Sequence, residues 1–276
     1  MKTFCTSAAL AIALCTLPLQ AQDHGHLRIG AASTNQGAAL YFFNGADFAT
    51  NSLYVKTLIF TNAGRYAGYY QGNITLTVQA ATPDYAGPEP DAPALGSYIR
   101  ARILSVTGPA AGAFAFWETG ATTPTISVAT GQTGTNSFNV TQTDGFPGAD
   151  PFGHVHGRRL AVTKSGIYAV TLQAFDTSTN GLIGGPIHTP SEPITVYFQG
   201  GVNIQSIEPD TSSDVIRVRF GALAGFNWSV QYTPDLTNTW QSTHPVMGND
   251  AFIESMHQTP LGQRNYYRLL GTPIEP

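Results

Sequence analysis

The chain has 276 residues, only 11% of them Asp, Glu, Lys or Arg, and a formal net charge of -4. No basic patch interleaves with aromatic side chains, which argues against nucleic acid as a partner. Plentiful Gly, Thr, Ser, Asn and aromatic residues suit a β-protein with long turns, and the length divides more naturally into two domains than one.

The opening "MKTFCTSAALAIALCTLPLQAQ" holds a lone Lys2, an apolar run too short to span a bilayer, and small or polar residues at its end. It reads as a secretory signal peptide over residues 1–21, so the mature protein is expected to be secreted or periplasmic. Both cysteines, Cys5 and Cys15, fall inside that segment. The expected mature chain therefore has no thiol for a disulfide, a thiolate metal site or a nucleophile, and depends on its packed core. No later segment is apolar for long enough to span a membrane, and none is expected to. With Gln22 first, Gln22-Asp23-His24 places histidine third. An α-amine, two deprotonated amides and that imidazole form a square-planar set suited to Cu2+ or Ni2+.

Strand signals follow in series. "GAALYFF", "SLYVKTLIF", "NITLTVQA", "SYIRARILSV", "AFAFWET", "TISVAT" and "NSFNVTQ" are short, rich in β-branched and aromatic residues, and bounded by Gly, Pro, Asn or Asp. The run Asn73–Val78 alternates, which predicts one buried face and one wetter face. Tyr66, Tyr69, Tyr70, Phe114, Phe116 and Trp117 read as sandwich core rather than as a carbohydrate-binding face. Beyond the loop "TDGFPGADPFG" come "RLAVT", "IYAVTLQAF" and "EPITVYF". After Gly200-Gly201 a polar stretch, "VNIQSIEPDTSSD", leads to "VIRVRF", "NWSVQY" and "YYRLL". The expected architecture is all-β. An N-terminal β-sandwich of the Ig-like or jelly-roll kind covers residues 22–200, and a smaller C-terminal β-sandwich covers 201–276.

Four of the seven histidines form two H-x-H pairs, His24 with His26 and His154 with His156. Random placement rarely yields even one such pair. Residues i and i+2 of a strand point to one face, roughly 6 to 7 Å apart, so two imidazoles can converge on one ion. Two pairs supply four nitrogens, a ligand set that tetrahedral Zn2+ accepts without thiolate. His188, in the loop "GPIHTPSEP", is a candidate extra ligand, and Asp150 a candidate acceptor holding His154 or His156 in the metal-binding tautomer. His244 and His257 read as surface residues of the tail.

"GHLRIG", "ILSVTGPAAGAFAFWE" and "GHVHGRRLAVTKSGIYAVTLQAF", ending in "ITVYF", occur in that order over roughly residues 23–198. Together they resemble the bacterial surface-anchored repeat proteins linked to zinc-uptake transporters, in which an HxHxxWxFTxPGxYxV module recurs. Thr163 and Gly166-Ile167-Tyr168-Ala169-Val170 match that module, whereas Leu160 stands near the place of its tryptophan and Ser165 replaces its proline. The resemblance implies a zinc-responsive, zinc-binding envelope component, with an envelope zinc-transport component as partner and His26, His154 and His156 in the site.

No G-x-S-x-G, H-E-x-x-H, P-loop or Rossmann glycine pattern appears, so no enzyme class is indicated. The expected function is an exported protein that binds, buffers or hands over Zn2+ in the cell envelope. The rival expectations are a structural or adhesive surface β-module and, further off, a histidine-based metalloenzyme.

Overall fold

The computed structural model describes residues 25–49, 53–82, 91–154, 157–236, 239–260 and 262–274. The expected signal segment, Gln22, Asp23, His24 and His156 lie outside the described residues. The regular structure among the described residues is nearly all strand, as the short β-branched runs predict, and no helix among them is long and apolar enough to cross a membrane.

Two sheets face each other over the first core. A four-stranded sheet takes the order β10 (Gly153–His154), β5 (Thr75–Val78), β1 (His26–Ala31), β2 (Leu40–Phe42). The larger sheet curls through nine strands. They run from β8 (Ile126–Ala129) and β7 (Ala113–Trp117) through β11 (Arg159–Val162), β4 (Tyr69–Gly72) and β3 (Lys56–Thr61) to β13 (Ile194–Gly200), β12 (Gly166–Asp176), β6 (Ile99–Thr107) and β9 (Thr133–Asn139). Strand β3 makes the curl, because its first half pairs in parallel with β13 and its second half antiparallel with β4. Leu27 and Ile29, Leu76 and Val78, Phe114 and Phe116, and Tyr168, Val170 and Leu172 point inward and share this core.

The G-x-Y stretch that carries the resemblance is a packing device. Gly166 has φ of 127°, and a Cβ there would lie 2.6 Å from the Pro109 ring. Tyr168 is fully buried, and its hydroxyl donates to the Lys164 carbonyl oxygen at 3.1 Å. Phe114 and Phe116 belong to the core, whereas Tyr66, Tyr69 and Trp117 form a separate aromatic cluster on the outer face of the curled sheet.

A second core gathers Val218, Phe220, Trp228 and Val230. It lies among β14 (Ile204–Asp210), β15 (Val215–Ala222), β16 (Phe226–Thr233), β19 (Ala251–Gln258) and β20 (Tyr266–Pro273), with the short β17 (Gln241–Ser242) and β18 (Val246–Met247) paired to β16. Strand β14 occupies the polar stretch that follows Gly200-Gly201. Among the described residues it is a largely exposed edge paired with β15, and of its side chains Ile204 packs against the second core. The two cores are tied directly. Val55 N–H donates to the Asp250 carbonyl at 3.0 Å, Phe252 N–H to that of Leu53 at 2.9 Å, and the buried Gln199 amide to that of Gly221 at 2.8 Å.

Strand β10 is held from both sides. Gly153 pairs with Val78, and a Cβ on it would lie 1.9 Å from the Val140 carbonyl oxygen. Gly153→Ala is therefore expected to lower unfolding free energy by about 2–3 kcal/mol through overpacking. Gly134→Ala, whose nearest neighbour would stand at 3.6 Å, should change it by less than about 0.5 kcal/mol. Urea denaturation of the two variants measures the difference.

Candidate functional site

Strand β5 lies between β1, which it pairs in parallel, and β10, which it pairs antiparallel. In this register His26 stands opposite Thr75 and His154 opposite Thr77. Leu27 and Ile29 are fully buried, so the alternation of β1 turns His26 to the outer face. Asn44 fixes the backbone there: its amide donates to the His26 carbonyl at 2.8 Å, and its carbonyl oxygen accepts Arg28 N–H at 2.8 Å.

The structure brings His26 and His154 together. Their rings stack with centroids 4.7 Å apart and planes 23° apart. Both Nδ1 atoms meet one hydroxyl, Thr77 Oγ1, at 3.3 Å from His26 and 3.2 Å from His154. Phe152 also stacks on His154, with ring centroids 6.4 Å apart. Thr77, which sequence reasoning treated only as part of an alternating strand, is thus the centre of the cluster. Its face is not the wetter one predicted: Thr75 is 2% and Thr77 7% exposed. Asn73 closes over the first by donating to its hydroxyl, and the two imidazoles close over the second.

Asp150 has another task than holding a histidine tautomer. Its carboxylate accepts N–H from Ala81 at 3.0 Å, Thr82 at 2.7 Å and Phe152 at 2.9 Å, and also the Thr82 hydroxyl. Burial opposes its ionisation, but these hydrogen bonds outweigh that and hold the carboxyl below the usual carboxylate range. It clamps the end of β5 to the loop entering β10. The placement of His154 therefore depends on Asp150 without contact between them.

His188 lies apart from the cluster and is committed to the backbone. It is 2% exposed, its Nε2 accepts Ala94 N–H at 2.9 Å, and its Nδ1 donates to the Ala38 carbonyl at 3.1 Å. Neither nitrogen is left for a metal, so its candidacy as an extra ligand gives way to a structural role. His244 is exposed as expected, but His257 is not: it is 6% exposed, stacked on Tyr232 at 3.5 Å, with Nδ1 at 3.0 Å from the Tyr267 hydroxyl. The alternation of β19 buries Ser255 and His257 and exposes Met256, contrary to hydropathy, because two tyrosines supply a stacking surface and a hydrogen bond.

Among the described residues no group of three or more His, Cys, Asp or Glu side chains converges. His26 and His154 form a two-imidazole pair with a shared hydroxyl, Nδ1 of each ring turned to Thr77, and a metal would be held through Nε2.

Burial lowers the proton affinity of His188, against smaller raising effects of the Ala38 bond and Asp176, and also that of His257. The unfolded chain then binds protons that these folded rings refuse, so stability is full above the ordinary value of 6.5 and falls as the pH drops below it. Urea midpoints at neutral pH and near pH 5 should show this loss, and His257→Phe should lessen it. His188→Ala should cost about 1–3 kcal/mol at neutral pH, because it leaves the Ala94 N–H and Ala38 carbonyl without partners. Comparison of the chain with protein-family models and with curated proteins finds no match to either.

Proposed function

We propose that the protein binds Zn2+ outside the cytoplasm, to buffer it or hand it over in the cell envelope. The reading is carried by one observation: His26 and His154, remote in sequence, stack side by side on the single hydroxyl of Thr77. The donor set is of the right kind. Neutral imidazoles are zinc ligands, and a ligating histidine normally gives its other ring N–H to an oxygen acceptor. The two lone pairs of Thr77 Oγ1 can take both Nδ1–H groups, and each ring would then hold a metal through Nε2. His24 and His156 are the proposed remaining ligands. The H-x-H spacing and the resemblance to zinc-linked surface repeat proteins support that set and an envelope zinc-transport component as partner. The N-terminal Cu2+ or Ni2+ set of Gln22, Asp23 and His24 is proposed only for a chain processed after Ala21.

A second reading is a structural surface β-module in which the pair merely closes the sheet edge. It is favoured by Thr77 itself, since the hydroxyl already serves both rings. Melting temperature separates the two. Zinc should raise that of the native chain by several degrees and leave a His26→Ala/His154→Ala variant unmoved. Equal weak binding by both, measured calorimetrically, would end the zinc reading. Thr77→Val should weaken zinc binding by about 10- to 100-fold while Thr77→Ser restores it. Affinity should fall as the histidines protonate below about pH 6.

A further inference from the structure

The antiparallel register of β6 with its two neighbours brings the start of β6 beside the ends of β9 and β12, with Arg100 opposite Asn139 and Ile99 opposite Asp176. Three loops therefore meet at this end of the sandwich: residues 92–97, which lead into β6, 143–149, which follow β9, and 178–186, which follow β12. One side chain ties them. The Asn180 amide donates to the Gly96 carbonyl at 2.7 Å and to the Gly145 carbonyl at 2.6 Å. Close to its tie each loop turns apolar side chains to solvent. Leu95, Phe146, Leu182 and Ile183 are all exposed, the last two by 73% and 106%.

These side chains are held out rather than left loose. At the base of the loops the buried Asp176 carboxylate accepts N–H from Tyr98 at 3.0 Å, Ser178 at 2.8 Å and Ile187 at 2.9 Å. Gln36 closes the longest loop into a ring: its Oε1 accepts Leu182 N–H at 3.0 Å and its Nε2 donates to the Pro186 carbonyl at 2.9 Å. Inside that ring Gly181 N–H donates to the Gly185 carbonyl at 2.8 Å. At the tip Ile183 has φ of 59°, a left-handed conformation that a β-branched residue adopts only at a cost. A fully exposed isoleucine returns no packing energy for that strain, which points to a use outside the chain.

The charge pattern and the shape narrow that use. The three loops hold no Lys, Arg, His or Glu, and Asp144 is their one acid, so an ionic surface finds almost nothing to pair with. Protruding aliphatic knobs need a matching pocket on a protein but none in a fluid acyl layer. We infer that this end of the sandwich docks on a lipid bilayer with zwitterionic headgroups, with Leu95, Phe146, Leu182 and Ile183 entering the boundary between headgroups and acyl chains. Basic residues are what draws a protein to anionic lipid, and the loops have none, so anionic lipid should add nothing.

The test is co-flotation with phosphatidylcholine vesicles of the expected mature chain, begun at Gln22 so that the apolar leader cannot itself bind. The chain should float with the vesicles, and added phosphatidylglycerol should not increase the bound fraction. Leu182→Ser/Ile183→Asn should weaken binding about tenfold or more. Asparagine tolerates the left-handed conformation, so this variant should melt no lower than the native chain and a loss of binding is not a loss of fold. The expected mature chain has no thiol, so a polarity-sensitive dye on Ile183→Cys reports insertion directly. Its emission should shift to the blue on phosphatidylcholine vesicles, while the same dye on Met247→Cys, an exposed site of the second core region, should not shift. Absence of binding to phosphatidylcholine vesicles overturns the inference, as does binding that the double variant leaves intact or that requires phosphatidylglycerol. Self-association of the lipid-free chain that the double variant abolishes, without vesicle binding, would overturn it in favour of a second copy on the same patch.

Discussion

The ladder of β5 is the constraint on which the N-terminal arrangement depends. This strand alone joins the described beginning of the chain to the short β10, taking one in parallel and the other antiparallel. Its inward residues, Leu76 and Val78, anchor it in the core, and its outward Thr77 then has a fixed position relative to both neighbours. Parallel neighbours need a long crossover, and everything between β1 and β5 supplies it. A slip of one residue in either ladder would turn Thr77 inward and the core leucine outward. Core packing and histidine placement are therefore one specification.

The loop before β10 works through the same logic at a smaller scale. Asp150 spends its carboxylate on backbone donors from Ala81, Thr82 and Phe152, while the Thr141 hydroxyl donates to the Pro151 carbonyl at 2.9 Å. Gln142 N–H closes the loop onto the Phe152 carbonyl at 3.0 Å. A two-residue strand cannot position itself by its own ladder. The loop supplies the order that its length lacks.

Much of the fold was legible because β-branched runs bounded by Gly, Pro and Asn need only local information. The all-β class, the alternating burial of β12 and the inward set of Phe114 and Phe116 follow from spacing alone. What was illegible depended on partners. Thr77 looks like any outward strand residue until β1 and β10 arrive beside it. Asp150 looks like a turn acid or a histidine partner until the end of β5 presents its N–H groups. His257 reads as surface because nothing local says that Tyr232 and Tyr267 will flank it, and β14 reads only as a polar stretch because most of an edge strand with one neighbour stays exposed. The H-x-H spacing was visible, but which oxygen its rings would share was not.

Among the described residues the four-stranded sheet ends on β10, two residues long, and on β2, three residues long. A sheet border is a row of unsatisfied amides and carbonyls that invites a strand from another molecule, and the invitation grows with its length. Borders this short present almost no such row. In a chain with few charges to keep copies apart, blunt margins are a defence against stacking into fibres, and lengthening β10 to rigidify its histidine would weaken that defence.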